Sequence, residues 1–375
     1  MILYSVLIVA SIVILVIILW KIETNVPKIP KVKEGNKEAK IKSIKRWFKV
    51  LERRKKFNGV ALLTHKGEVI FKLVMGVSGA TQKPLTESSM LRIASLSKSF
   101  TAFAIMNLVK KEKIHYDDLV SEHVTFFKHK QITIRNLLNH TSGILVDYIA
   151  IAKKNKPSKN YILSITDAVH LVLKVMEEDK LVPNIKFVYN NTNYIFLAYI
   201  VEKVTGLSFE EYIKEEICKP LGLIQTRVWN LLSKDTIENT ANIAEDFEAY
   251  LKSKPIKLKP TWIDGVAGDG AIFSSINDLE KWSKIWEDNS LLSKEELKEA
   301  YKPHQLKDGT YNDYGFGWVL NRDNSIWHNG KWLAANSLMI KNFKKETCLI
   351  LVDNSANLRF EKITKKLLYE LEDYL

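Results

Sequence analysis

At 375 residues the chain is long enough for one large domain or two modest ones with full cores, and 46% hydrophobic and 10% aromatic content exclude a disordered protein. The formal charge of +13 suggests a nucleic-acid partner, but residues 21–56 hold 14 Lys and Arg against 4 Glu, so +10 of it sits in one stretch. The remainder is nearly neutral and carries no nucleic-acid-binding motif, which excludes that partner class.

From the N-terminus, residues 2–20 (ILYSVLIVASIVILVIILW) contain no charged side chain. At about 1.5 Å per residue they span roughly 28 Å, close to the thickness of bilayer hydrocarbon. Trp20 and Lys21 follow where an interfacial aromatic and a snorkelling cation belong. A cleaved signal peptide fits less well, since no Lys or Arg precedes the run and no A-x-A-like site follows it. The reading is a single-pass membrane anchor over 1–20. By the positive-inside rule, the flank beginning Lys21, Lys28, Lys31 and Lys33 would hold the body in the cytoplasm.

Residues 21–39 have two prolines, one glycine and dense charge, the composition of an extended basic linker. From about residue 40, Ile41, Ile44, Phe48 and Leu51 recur at helical spacing. A basic amphipathic helix could lie on anionic lipid, but the strand pattern that follows at once favours a first domain helix packed on a sheet. FNGVALLT, a turn at His65-Lys66-Gly67 and EVIFKLVMG predict a hairpin over 57–76. SIWHNG, ANSLMIKN and ETCLILVDN predict further strands near the C-terminus, closed by a helix from about Leu358. Residues 90–300 read mainly as helices. The predicted fold is therefore α/β of the α+β type: an antiparallel sheet built from both chain ends, flanked by helices, with a mainly helical subdomain inserted over one continuous domain, 40–375. Cys218 and Cys348 have no C-x-x-C spacing and are expected to be buried, unpaired residues.

Three short motifs carry candidate chemistry. Ser95-Leu96-Ser97-Lys98 opens a helix, and i and i+3 share a face, so the Lys98 amine can reach the Ser95 hydroxyl. Desolvation among Phe100, Phe103 and Leu108 would lower the pKa of Lys98 and make it a base for a serine nucleophile. Ser95 could equally be a helix cap. Tyr189-Asn190-Asn191 precedes another predicted helix and supplies a phenol and an amide. Read plainly, it is an Asx-type turn. His328-Asn329-Gly330 ends a predicted strand. The remaining histidines, His65, His115, His123, His129, His140, His170 and His304, show no paired metal spacing, so no metal site and no cofactor are predicted.

In this order the motifs resemble the serine β-lactamase and penicillin-binding-protein superfamily, in its class C β-lactamase-like branch. RIASLSKSFTAFAIMNLV resembles the S-x-x-K helix, FVYNNTNYIFLAYIVEKVTG the Y-x-N segment, and HNG the K-T-G or H-x-G position. ITIRNLLNHTSGI, ICKPLGL, GDGAIFSSINDLEKW and YGFGW match the branch in style, and the likeness covers about 45–375. The resemblance implies Ser95 as the acylated nucleophile, Lys98 as its base and Tyr189 as proton relay. It implies Asn191, His328, Gly330 and Lys331 at the substrate, with the Ser95 and Lys331 N–H groups as the oxyanion hole. It also places the catalytic body outside the cytoplasm, against the charge flank.

Asn329 stands where threonine is usual, and the bulky Lys331-Trp332 pair is expected to narrow the cleft or alter its charge. A neutral His328 in place of a lysine predicts poor β-lactam turnover. The expected activity is hydrolysis of a small peptide, amide or ester through an acyl-enzyme, as in a D-alanyl-type peptidase, an esterase or a β-lactamase. A catalytically silent, envelope-binding penicillin-binding-like protein is the alternative. An α/β-hydrolase is excluded, since no G-x-S-x-G occurs.

Overall fold

The computed structural model describes residues 9–17, 25–32, 36–79, 81–154, 160–176, 180–235, 242–248 and 255–375. The expected anchor over 2–20 falls largely outside them. Its described part, 9–17, is helical with exposed aliphatic side chains. Among the described residues no helix is long and apolar enough to cross a membrane.

A six-stranded antiparallel sheet is the centre of the fold. Its strands are β1 (Gly59–His65), β2 (Glu68–Met75), β6 (Val319–Leu320), β7 (Ser325–Trp332), β8 (Ala335–Asn342) and β9 (Thr347–Asp353). Their order, β6-β7-β8-β9-β1-β2, joins the two ends of the chain, as the strand patterning predicted, because β1 pairs with both β2 and β9. The β1–β2 hairpin closes through Lys66 and Gly67, both at positive φ (50° and 79°), the primed turn that matches strand twist. Alternation along β1 and β9 divides the core. Ala61, Leu63, Leu349 and Leu351 face α1 (Lys37–Arg53) and the C-terminal helix α8 (Phe360–Glu370), whereas Val60, Leu62, Ile350 and Val352 face the interior of the molecule.

Helix α1 packs as the sheet-covering reading required, with Ile44, Trp47, Phe48 and Leu51 buried. It starts earlier than expected, because Asn36 Oδ1 accepts from the N–H of Ala39 as an N-cap. The linker is only in part a tether. Val26 and Ile29 are buried, Trp47 Nε1 donates to the Pro27 carbonyl at 2.9 Å, and Ser43 Oγ donates to that of Pro30 at 2.8 Å. Residues 26–30 are therefore packed against α1.

Between the sheet's two halves lie α2 (Lys98–Lys110), α3 (Ile134–Leu138), α4 (Tyr148–Lys154), α5 (Ile165–Val175), α6 (Asn191–Thr205) and α7 (Ile276–Ile285). The middle is not purely helical. A second sheet joins β3 (Leu91–Arg92), β4 (Thr226–Val228) and β5 (Ile272–Ser274), in the order β3-β5-β4. Strands of two or three residues carry too little periodicity to be seen in sequence, and here they hold the chain immediately before Ser95. Cys218 and Cys348 are both buried and unpaired.

Candidate active site

Ser95 lies in a 3₁₀ turn (Ala94–Ser97) that runs into α2, not in the first turn of the α-helix itself. Ala94, just before it, is held at φ +47°. A left-handed alanine costs roughly 1–2 kcal/mol and persists only where its surroundings fix it. Strand β3 on one side and β7 on the other supply that constraint. A Cβ on Gly330 would lie 2.5 Å from Ile93 O, 2.6 Å from Ser337 Oγ and 2.7 Å from Ser95 N, so only glycine lets β7 run against this turn. Ser95 is not a cap. Its Oγ accepts from Lys98 Nζ at 3.2 Å.

Lys98 is fully buried, and its three N–H donors have three acceptors: Ser95 Oγ, Asn191 Oδ1 at 2.9 Å and the Asp269 carbonyl at 2.9 Å. A lysine that loses one proton keeps two donors. Asn191 and Asp269 can hold both, which turns the lone pair to the Ser95 hydroxyl. Asn191 is oriented in turn, since its Nδ2 donates to Asp147 Oδ2 at 3.2 Å. It sits at the first residue of α6 because Asn190 caps that helix, accepting from Thr192 N at 2.9 Å and donating to the Ile144 and Val146 carbonyls. The Asp269 segment is fixed to α2 through Thr101 Oγ1, which donates to the Gly268 carbonyl, and through Ser97 Oγ, which accepts from Ile272 N at 3.2 Å.

Tyr189 precedes that cap and is 41% exposed, with its ring over Lys98 Nζ at 5.0 Å. Its hydroxyl makes no hydrogen bond to Ser95 or Lys98. The ring rests on His140 (4.6 Å between centroids), which is itself buried. His140 Nδ1 faces the donors Asn193 Nδ2 (2.9 Å) and Asn190 N (3.4 Å), so it is the acceptor of the ring. The His140 carbonyl takes the N–H of Val188 at 2.9 Å. This histidine thus holds the Tyr189–Asn191 segment from below.

His328 is not on the cleft wall where a substrate contact was expected. It is 2% exposed and turned inward: Nδ1 lies 2.5 Å from the Asn329 carbonyl, and Nε2 lies 2.9 Å from Tyr314 Oη. The proton therefore sits on Nδ1, and the Tyr314 hydroxyl donates to Nε2. Burial, reinforced by the Lys98 charge, pushes His328 down to about 3 and His140 well below its ordinary value. Below about pH 6.5 the unfolded chain takes up a proton at His328 that the folded protein refuses, so stability is lost as pH falls. Asp246 and Asp269, pushed up to about 6 chiefly by burial, act in the opposite sense between about pH 6 and 4. The His328 contribution is therefore read as a difference. From pH 6.5 to 4 the wild type should lose about 1.4 kcal/mol per pH unit relative to a His328→Gln variant in urea unfolding. A pH-independent difference would mean that the imidazole is protonated in the folded protein. A lysine in this buried place would carry its charge into the interior beside Lys98, not into the cleft.

A cavity of about 210 Å³ opens beside Ser95, and Asn191 and Lys331 also line it, whereas Tyr189, His328 and Gly330 do not. Its remaining polar wall was not foreseen in the sequence: Arg92, Tyr148, Asp264 and Asp269. Trp332 also lines the cavity, with its Nε1 donating to Asp264 Oδ1 at 2.6 Å, while Lys331 is exposed. Elsewhere Asp118, Glu122 and His123 bring three ligand atoms within 4.8 Å. These groups already serve the turn: Asp118 Oδ2 accepts from His115 N and lies 3.2 Å from His123 Nε2, and Glu122 Oε2 accepts from Leu119 N.

A sheet made from both chain ends, an inserted helical region and an S-x-x-K pair at their junction define the class of β-lactamase-fold serine hydrolases. A family model described as Beta-lactamase matches residues 44–370, and the chain belongs to that family. It is 33% identical over 329 residues to a penicillin-binding protein of Bacillus subtilis (strain 168), covering 85% of this chain and 72% of that one. Among solved structures it is similar in fold to FmtA from Staphylococcus aureus, with TM-score 0.72, 23% identity and 95% of each chain covered. A penicillin-binding protein homologue from Pyrococcus abyssi, described as octameric, matches with TM-score 0.71 and 24% identity over 90% of this chain and 78% of that one.

Proposed function

We propose that this protein is a membrane-anchored serine hydrolase that opens amide or ester bonds through an acyl-enzyme at Ser95. The observation that carries the reading is the triple engagement of the buried Lys98 amine, which leaves its lone pair to the Ser95 hydroxyl once Asn191 and Asp269 hold its two remaining protons. The backbone N–H groups of Ser95 and Lys331 serve as the oxyanion hole, set by the close approach of β7 at Gly330. Asn191 holds Lys98 and meets the substrate amide at the cavity wall. Tyr189 passes the proton to the leaving group and later takes one from the deacylating water, its hydroxyl moving toward Ser95 as substrate fills the cleft. Lys331, exposed beside the cavity, contacts the substrate, and the apolar run 2–20 holds the body at a membrane with the catalytic domain outside the cytoplasm.

Covalent labelling tests the core of this reading. A fluorophosphonate or penicillin probe should modify Ser95, identified by mass spectrometry, and Ser95→Ala should abolish both labelling and hydrolysis while the protein stays folded. Labelling retained at another serine overturns the assignment.

A further inference from the structure

The basic stretch that carries most of the chain's net charge has a face that the fold leaves open. In α1, Lys42, Arg46, Lys49 and Arg53 stand four, three and four residues apart, so they line one side of the helix. The opposite side holds Ile44, Phe48 and Leu51, buried on the sheet. All four cations are exposed, and none has a carboxylate partner among the described residues. Elsewhere on the surface Lys110, Lys284 and Lys298 each meet a glutamate. The acids nearest α1 are committed: Asp373 holds Lys40, Glu361 holds Lys365, and Glu52 accepts from the N–H of Gly76. Glu38, in the first turn, is the exposed acid of this helix. Lys28 and Lys31, exposed on the segment packed beside Trp47 and Ser43, add two more cations along its flank.

The apolar run 2–20 ends close to this face. Lys56 Nζ, just past α1, donates to the Asn25 carbonyl at 2.5 Å, and residues 26–30 then run back along the helix to Ser43. The five residue steps from Trp20 to Asn25 reach at most about 18 Å. A bilayer holding the run therefore passes within that reach of Asn25, beside the C-terminal end of α1. We propose that α1 lies along the surface of an anionic phospholipid bilayer, with the stripe of Lys42, Arg46, Lys49 and Arg53 against the phosphate headgroups. The inference goes beyond the chemistry at Ser95 and does not need it; it rests on the reading of residues 2–20 as a membrane segment. Clusters of about four to eight cations beside such a segment are drawn to anionic lipid, and the attraction falls off within a Debye length, about 8 Å at physiological salt. The tether supplies the proximity, because it makes the second contact intramolecular. The apolar side of α1 is already spent on the sheet, so the contact is electrostatic and salt reverses it. It also sets the posture of the body. Ile93 and Leu96, which flank Ser95, belong to the core on the sheet's other face, so the catalytic turn is held away from the lipid.

Lysine footprinting of the full-length protein on nanodiscs reads the contact directly. Modification of Lys42 and Lys49 by an uncharged N-hydroxysuccinimide ester, located by mass spectrometry, should be about fivefold slower on discs containing phosphatidylglycerol than on phosphatidylcholine alone. In 0.5 M NaCl the difference should shrink to less than about twofold. Lys174 and Lys203, exposed on α5 and α6 across the sheet, should change by less than about twofold throughout. An Arg46→Gln/Arg53→Gln variant alters exposed side chains only and keeps both reporter lysines, and its protection should fall by about half or more. The wild-type dependence on lipid and salt stands as a test even if that variant folds poorly. Equal modification on the two discs, protection that survives 0.5 M NaCl, equal protection of Lys174 and Lys203, or protection unmoved in the variant overturns the inference. Equally strong protection by soluble polyphosphate on phosphatidylcholine discs overturns it too, since the face would then take polyanions from solution. Flotation of the discs keeps the failures apart. Protein that floats with both disc types without lipid-dependent protection loses only this inference, and protein that floats with neither loses the membrane reading as well.

Discussion

Lys98→Ala lowers the rate of Ser95 acylation by about 100- to 10,000-fold, the range that a positioned base contributes. The expectation follows from geometry, since Lys98 Nζ is the group that the structure holds against Ser95 Oγ at 3.2 Å. A nucleophile and its base act as a unit, so in substrate hydrolysis the Ser95→Ala/Lys98→Ala double variant should be no slower than Ser95→Ala alone. The lysine is fully buried, and its loss leaves Asn191 Oδ1 and the Asp269 carbonyl without their donor. Lys98→Met, which keeps the volume, therefore serves as the second variant. Time courses of fluorophosphonate labelling give the rate, and urea unfolding reports whether each variant is folded. Near-normal acylation in a folded Lys98→Met protein would show that another group removes the Ser95 proton.

The second large effect is expected at a residue with no chemistry of its own. Gly330→Ala adds a methyl group against Ile93 O and Ser95 N, both backbone atoms that cannot rotate away. Relief requires β7 to withdraw from the turn carrying Ser95, which moves the N–H of Lys331 relative to that of Ser95. Overpacking of this kind costs about 1–3 kcal/mol in stability. Loss of one oxyanion donor costs about 100- to 1,000-fold in rate. Acylation should therefore fall far more than the melting temperature suggests, with Ser95 and Lys98 both still present. A Gly330→Ala protein acylated within tenfold of wild type would place the oxyanion donors elsewhere.

The two effects differ in how they could have been anticipated. Ser95 and Lys98 are three residues apart, and helical geometry alone brings them together. Gly330 was placed by its position in a strand-end motif, but the reason it must be glycine is a contact with residues 93 and 95, which only the folded sheet creates.

The sequence by itself determined the sheet and the reactive pair. Unbroken apolar runs in β1 and β9 oblige a sheet buried on both faces, the spacing of Ile44, Phe48 and Leu51 obliges a helix covering it, and S-x-x-K needs only one turn of backbone. Tertiary structure decided which side chains meet at the cavity. Asp269 reaches Lys98 across 171 positions, Tyr148 reaches Asp269 across 121, and the strands that bring them there are two or three residues long. It also turned His328 inward to Tyr314, made His140 the support of Tyr189, and drew residues 26–30 onto α1. Each of these depends on burial, which fixes a polar group only after every partner has been placed. A periodic pattern records which face of an element is covered, whereas the partner of a buried carboxylate is recorded in no local stretch of the chain.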